Sequence, residues 1–266
     1  MSALFYQTPP SRVLVVAAHP DDIEFYAGGT LATWIQTGSE VHYLLVTDGA
    51  GGSRDPECSP QALAERRRLE QRRAADLLGV SSVHFLGYPD AGFDASLELR
   101  IAIARVIRQV RPDTVVTFDP QRHYHAMGIN HPDHIAVGAS TLGAVMPLAN
   151  TRMAAPALLE EGLEPHDVSQ VFLFETATPS FWMPLTEKAL ERKLAALEAH
   201  ESQIEEGWDA VSEVLGHGDQ LAYSARSQGL NCEQAEAFSY IRLTPPSQPI
   251  VRRAPARQQQ PLFAHA

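Results

Sequence analysis

Short apolar runs alternate with longer amphipathic stretches along this chain. Residues 13–18 (VLVVAA) are too few and too β-branched for a helix and read as a buried strand. An acidic pair, Asp21-Asp22, then opens a helix to about residue 36, stopped by Gly38. The rhythm repeats with a strand at 41–46, a Gly-rich loop at 48–53 and a helix at 60–78 ending on Gly79. A strand at 83–86 and a helix at 97–110 follow. Arg111-Pro112 breaks that helix, because the residue before a proline is pushed out of the α region. Residues 114–118 (TVVTF) give a fourth strand, and a polar loop occupies 119–130. Pro132 then takes the first position of another helix, where its missing N–H is no loss. A fifth strand is predicted at 171–175 and a long helix at 185–204.

This alternation predicts an α/β protein, a single domain with a Rossmann-like, mostly parallel sheet and helices on both faces. The domain is expected to span residues 1–244. Residues 245–266, rich in Pro, Arg and Gln without periodicity, read as a flexible C-terminal tail. Ligands of such sheets bind at the carboxyl ends of the strands, so chemical residues should stand just after strands.

Two clusters do. His19-Pro20-Asp21-Asp22 follows the first strand directly, and His131-Pro132-Asp133-His134 follows the loop after the fourth. A catalytic zinc site needs three nitrogen or oxygen ligands and an open position for water. His19 and Asp22, three apart at a strand-to-helix turn, suit one ion, and His134 is the natural third ligand. Asp21, beside Asp22, is then placed to act as general base. A lone Asp-Asp at a helix start is more often an N-cap, and a lone His after a strand more often a satisfied polar residue. Two clusters, each after a strand, shift that balance toward a metal. Two imidazoles and a carboxylate hold iron(II) as well as zinc.

Composition narrows the partners. With 21 basic against 32 acidic residues the formal charge is −11, which disfavours nucleic acid and anionic membranes. No apolar run approaches the ~18 residues of a membrane span. Two cysteines, Cys58 and Cys232, fit a reducing cytoplasm better than a disulfide framework. There is no G-x-G-x-x-G after the first strand, no G-x-S-x-G elbow and no Walker lysine, the only lysines being Lys188 and Lys193.

The run Ala18-His19-Pro20-Asp21-Asp22, with Glu24 and Gly28-Gly29-Thr30, resembles the signature of the PIG-L/LmbE-like deacetylases. His131-Pro132-Asp133-His134 is similar to that family's second motif, and Ala199-His200-Glu201-Ser202-Gln203 to its C-terminal helix motif. The resemblance implies a zinc-dependent hydrolase removing acetyl groups from small N-acetylglucosaminyl compounds of the bacillithiol or mycothiol type, and assembly into homo-oligomers is common among relatives. It assigns the metal to His19, Asp22 and His134, the base to Asp21, and oxyanion or leaving-amine contact to His131. Arg67 and Asp90 match sugar-contacting positions, and Asp133 is a candidate for orienting an imidazole. Ile129 stands where some relatives carry a tyrosine, and Phe181-Trp182-Met183 where many carry an acidic motif. Two alternatives stay open: an amidase or hydratase on the same fold, and a non-catalytic metal- or sugar-binding protein.

Overall fold

The computed structural model describes residues 9–125, 128–204 and 210–243. The tail expected at 245–266 lies outside them. Strands β1 (Arg12–Ala17), β2 (Glu40–Thr47), β3 (Ser82–Tyr88), β4 (Thr114–Phe118) and β7 (Gln170–Phe174) pair in parallel, in the order β3-β2-β1-β4-β7. Two antiparallel strands, β9 (Ala235–Arg242) and β8 (Phe181–Pro184), complete a seven-stranded sheet. The α/β, mostly parallel expectation therefore holds. Val13 to Ala17 have no exposed surface, as a central strand covered on both faces requires.

Helix α1 (Asp22–Gln36) packs against α2 (Pro60–Leu78) and α6 (Glu187–Glu198). Helices α3 (Leu97–Val110) and α4 (Pro132–Gly143) pack on each other and on the kinked segment Ala144–Ala149, in which Met146 leaves the helical conformation, forming the second layer. Local signals explain the ends. Ser59 Oγ accepts the Ala62 N–H at the start of α2, and Gly79 closes it in the left-handed conformation at φ 79°. Ser96 Oγ caps α3 through the Leu99 N–H.

The chain leaves β1 outward to β2 and β3, then returns past β1 to form β4. The strand order therefore reverses between β1 and β4, which opens a crevice at their carboxyl ends. Helix α1 is packed closely around Gly29: a Cβ there would come within 2.7 Å of the Leu185 side chain, which would have to move to admit it. Beneath it Lys193 Nζ, 2.6 Å from both Glu236 Oε1 and the Phe25 carbonyl, forms a buried polar tie. Glu236 also accepts the Gly29 and Thr30 N–H groups.

Some expectations need correction. The helix predicted at 185–204 is α6, Glu187–Glu198 only, capped by Thr186 Oγ1. The chain turns after it because Glu70 of α2 accepts both the Ser202 N–H and its hydroxyl, while His200 turns inward onto Glu24. The polar loop at 119–130 contains a small hairpin, β5 (Tyr124–His125) with β6 (Gly128–Ile129). Its Tyr124 and Ile129 face each other and are exposed. The short helix α5 (Pro156–Glu160), helix α7 (Ala210–Ser227) and strands β8 and β9 were not predicted. The buried charge of Glu236 inside β9 disguises that strand.

Candidate metal centre and active site

All five parallel strands deliver side chains to the crevice. His19 to Asp22 come after β1, Asp48 after β2, Asp90 after β3, His131 to His134 beyond β4, and Glu175 after β7. Asp22 sits at the middle. Its Oδ1 lies 3.2 Å from His134 Nε2 and its Oδ2 3.4 Å from His19 Nδ1; Oδ2 also accepts the His19 N–H at 2.7 Å. Each imidazole is anchored by its other nitrogen. His134 Nδ1 is 2.8 Å from Glu175 Oε2, and His19 Nε2 is 3.2 Å from Asp90 Oδ1 and 3.3 Å from Asp133 Oδ2. Phe118 stacks on the His134 ring at 3.9 Å between centroids and fixes its plane.

These contacts settle where hydrogen sits. A carboxylate only accepts, so the nitrogens facing Glu175, Asp90 and Asp133 carry the N–H. In the neutral rings the remaining nitrogens would then point lone pairs at Asp22. An acceptor facing an acceptor is tolerated only with a cation between them. Without metal, protons take that part. Burial alone would lower the His134 pKa, but Asp22 and Glu175 outweigh it and raise it to about 9. His19 is likewise raised well above its ordinary value against the effect of burial, chiefly by Asp22. Burial acts to raise Asp22, yet His134 and His19 together hold it far below the usual carboxylate range. A divalent ion suits the same place. Two imidazole nitrogens and a carboxylate face one another, and both rings have the acidic partners that orient metal-bound histidines. One ring nitrogen of His131 also lies within 4.8 Å of one nitrogen each of His19 and His134. The donor set therefore fits a metal ion.

Asp21 is the N-cap residue of α1, but its side chain makes no capping hydrogen bond. It adopts φ 102°, which for a residue with a Cβ costs about 1–3 kcal/mol and persists only where surroundings enforce it. That backbone sends its carboxylate to Arg67, with Nη2 3.1 Å from Oδ2. Burial raises the Asp21 pKa, Arg67 opposes and Asp22 adds to the rise, leaving it at about 6. His131 caps α4 instead: its Nδ1 accepts the Asp133 N–H at 3.2 Å. Its pKa is lowered by burial and by the neighbouring imidazoles, so the ring is neutral at pH 7 and its hydrogen lies on Nε2.

The two expected sugar-contacting residues are engaged inside the protein. Arg67 is buried, donating to the Gly49 and Pro20 carbonyls as well as to Asp21. Asp90 accepts the Gly51 N–H and meets His19. Asp133 accepts the Ala91 N–H from the loop after β3 and meets His19, the contact expected of a residue that orients an imidazole. A cavity of about 200 Å³, lined among others by Asp21, Asp22, Phe25, Tyr26, Leu197 and His200, opens beside the Asp21 carboxylate.

The sequence reading missed Glu175 and Gln71, and named Glu24 in the first motif without giving it a role. Glu175 stands at the end of the predicted fifth strand, where the rule that chemistry follows strands would have found it. It too has positive φ, 52°.

Fold and site together define an α/β protein with a metal-competent histidine–carboxylate centre at the switch point of its sheet. The chain belongs to the PIG-L family, described as GlcNAc-PI de-N-acetylase, which it matches over residues 14–145. It is 36% identical over 199 residues to the diacetylchitobiose deacetylase of Thermococcus kodakarensis, covering 74% of this chain and 72% of that one. It is 32% identical over 223 residues to the 1D-myo-inositol 2-acetamido-2-deoxy-alpha-D-glucopyranoside deacetylase of Rhodococcus erythropolis, covering 74% and 67%. The N,N'-diacetylchitobiose deacetylase of Pyrococcus horikoshii, solved with its inhibitor, is similar with a TM-score of 0.79 at 28% identity, over 91% of this chain and 90% of that one. Among the described residues no helix is long and apolar enough to cross a membrane.

Proposed function

We propose that the protein is a metal-dependent hydrolase that removes the N-acetyl group from a small N-acetylated amino sugar of the N-acetylglucosaminyl type. The observation that carries this reading is Asp22, whose two oxygens each face an imidazole nitrogen while a second acid holds the far nitrogen of each ring. The deacetylase relatives supply the reaction class and the amino-sugar substrate. A divalent metal held by His19, Asp22 and His134, zinc or iron(II), would polarise the amide carbonyl and activate the attacking water.

The chain's own groups do the rest. Asp21 takes the proton of the attacking water; a carboxylate of pKa about 6 is mostly ionised at neutral pH yet basic enough to accept it. His131 donates its Nε2 hydrogen to the oxygen that becomes negative, since its Nδ1 is occupied by the Asp133 N–H. The carbon–nitrogen bond then breaks, and the proton held on Asp21 passes to the departing amine, leaving acetate. Asp133 and Glu175 keep the His19 and His134 rings in register. Arg67 and Asp90, both bonded to the loop at 49–52, would meet the sugar hydroxyls from that side of the site. The two free cysteines accord with a cytoplasmic setting.

The test is acetate release from a panel of N-acetylglucosaminyl compounds, diacetylchitobiose included, by protein stripped of metal and reloaded with zinc or iron(II). Reloaded protein should release acetate and stripped protein should not. Absence of acetate across the panel from fully loaded protein would overturn the reading, and addition of water to a substrate without acetate loss would point to the hydratase alternative.

A further inference from the structure

The strained turn that presents Asp21 is gripped from one side by α2. Arg67 and Gln71 stand four residues apart, so they project from one face of that helix onto the turn. Arg67 Nη2 holds the Pro20 carbonyl at 2.6 Å and Asp21 Oδ2 at 3.1 Å. Gln71 Oε1 accepts the Asp21 N–H at 3.2 Å. The first turn of α1 adds the Phe25 N–H on the Asp21 carbonyl at 3.0 Å. Every polar backbone group of Asp21 is therefore held while its φ stays at 102°.

The direction of the Gln71 amide is itself determined. Its Nε2 lies 3.0 and 3.2 Å from the two oxygens of Glu24. A carboxylate only accepts, so the NH₂ must face Glu24 and the carbonyl must face the Asp21 N–H. Glu24 is fixed in turn by His200 Nε2 at 3.2 Å. Glu24 and Gln71 have no exposed surface and His200 almost none, so no water competes for these bonds. A buried amide reversed by 180° would set acceptor against acceptor on one side and donor against donor on the other.

We propose that Gln71, oriented by Glu24, is a positioning residue for the reaction: it holds the Asp21 backbone in the positive-φ conformation that aims its carboxylate at the attacking water. The proposal rests on Asp21 acting as base. Neither Gln71 nor Glu24 touches the metal ligands through a hydrogen bond of its own, so the pair acts on proton transfer and leaves metal binding alone.

Two variants test this. Gln71→Met keeps the length and removes both bonds. It should bind metal stoichiometrically and keep KM within about threefold, while kcat falls on the order of 10- to 100-fold, a part of what loss of a general base removes. Its crystal structure should show Asp21 relaxed to negative φ. The exchange Glu24→Gln with Gln71→Glu restores a buried amide–carboxylate pair with the roles reversed. Glu at 71 can accept both the Asp21 N–H and the new amide at 24, whose carbonyl faces His200. The exchange should recover kcat to within about tenfold of the parent, whereas Gln71→Glu alone sets two carboxylates together and should not. Unchanged kcat in Gln71→Met with Asp21 still at positive φ would overturn the proposal. So would an exchange that folds and binds metal but is no more active than Gln71→Glu. Unchanged turnover in Asp21→Asn would instead remove the base assignment on which the proposal stands, and that result is read separately.

Discussion

Two histidine clusters stand at opposite ends of the same sheet, and only one has the makings of a reaction centre. At the carboxyl edge, His134 lies between two carboxylates and His19 among three, and both are pushed toward the charged form. At the amino edge, His42 of β2 and His84 of β3 share one serine. Ser82 Oγ is 2.8 Å from His42 Nδ1 and 3.0 Å from His84 Nε2. The Glu40 carboxylate is 3.2 Å from His42 Nε2 but without hydrogen-bond geometry, and it is committed to Arg12 at 2.7 Å. Burial lowers both of these histidines, and no second acid corrects it. Serine, histidine and acid thus stand together at the amino edge, but there burial holds the histidines below their ordinary value. What separates the ends is the acids. Loops after five parallel strands converge on the carboxyl edge, and α1 and α4 begin there, so Asp22, Asp90, Asp133 and Glu175 can surround two rings.

The contrast predicts a descending series of effects. Asp22→Ala, which removes the carboxylate shared by both rings, should abolish metal retention in elemental analysis and acetate release with it; full metal occupancy in this variant would break the account of the centre. Asp21→Asn should keep its metal and lose turnover by about 10²–10⁴-fold, the scale of general-base catalysis. Glu175→Gln, which weakens the anchor on His134 without touching Asp22, should reduce metal affinity by about 10- to 100-fold in a competition titration against a chelator. At the other edge, Ser82→Ala should leave kcat/KM unchanged and shift stability by about 0.5–1.5 kcal/mol in urea melts.

The smallest effect is one of pH. His42 and His84 have folded pKa values below their unfolded ones, so the unfolded chain takes up protons first as the pH falls. Their stabilising contribution is complete above the unfolded value of about 6.5 and is lost as the pH drops from there through the folded values. The loss these two contribute between pH 7.5 and 5 should be smaller in His84→Gln, read as the difference in urea midpoint from the parent at each pH. A difference that stays constant with pH would mean that the amino-edge histidines are not held neutral.

The first four parallel strands and helices α1 to α4 were legible because each is announced within its own span, by a β-branched run, a helical period, or a Pro, Ser or Gly at an end. The positions of His19, Asp21, Asp22, His131, Asp133 and His134 just after strands were legible for the same reason. The last third was harder to read. Helix α6 ends early because His200 and Ser202 are drawn to Glu24 and Glu70, partners 176 and 132 positions away. Strand β9 hides behind Glu236, whose burial makes sense only beside Lys193 and the backbone of α1.

By itself, then, the sequence determined the alternation of strand and helix, hence a parallel sheet, and the placing of two acid–histidine motifs at its carboxyl edge. Tertiary structure alone decided that β1 and β4 are neighbours, so that motifs separated by more than a hundred residues share one crevice. It also decided that Glu175 anchors His134, that Asp133 reaches His19, and that Arg67 and Gln71 serve the turn at Asp21. The physical reason is range. Propensity and periodicity act over a few residues, whereas the partner of a buried charge is whichever group the packing of distant elements brings within about 3 Å.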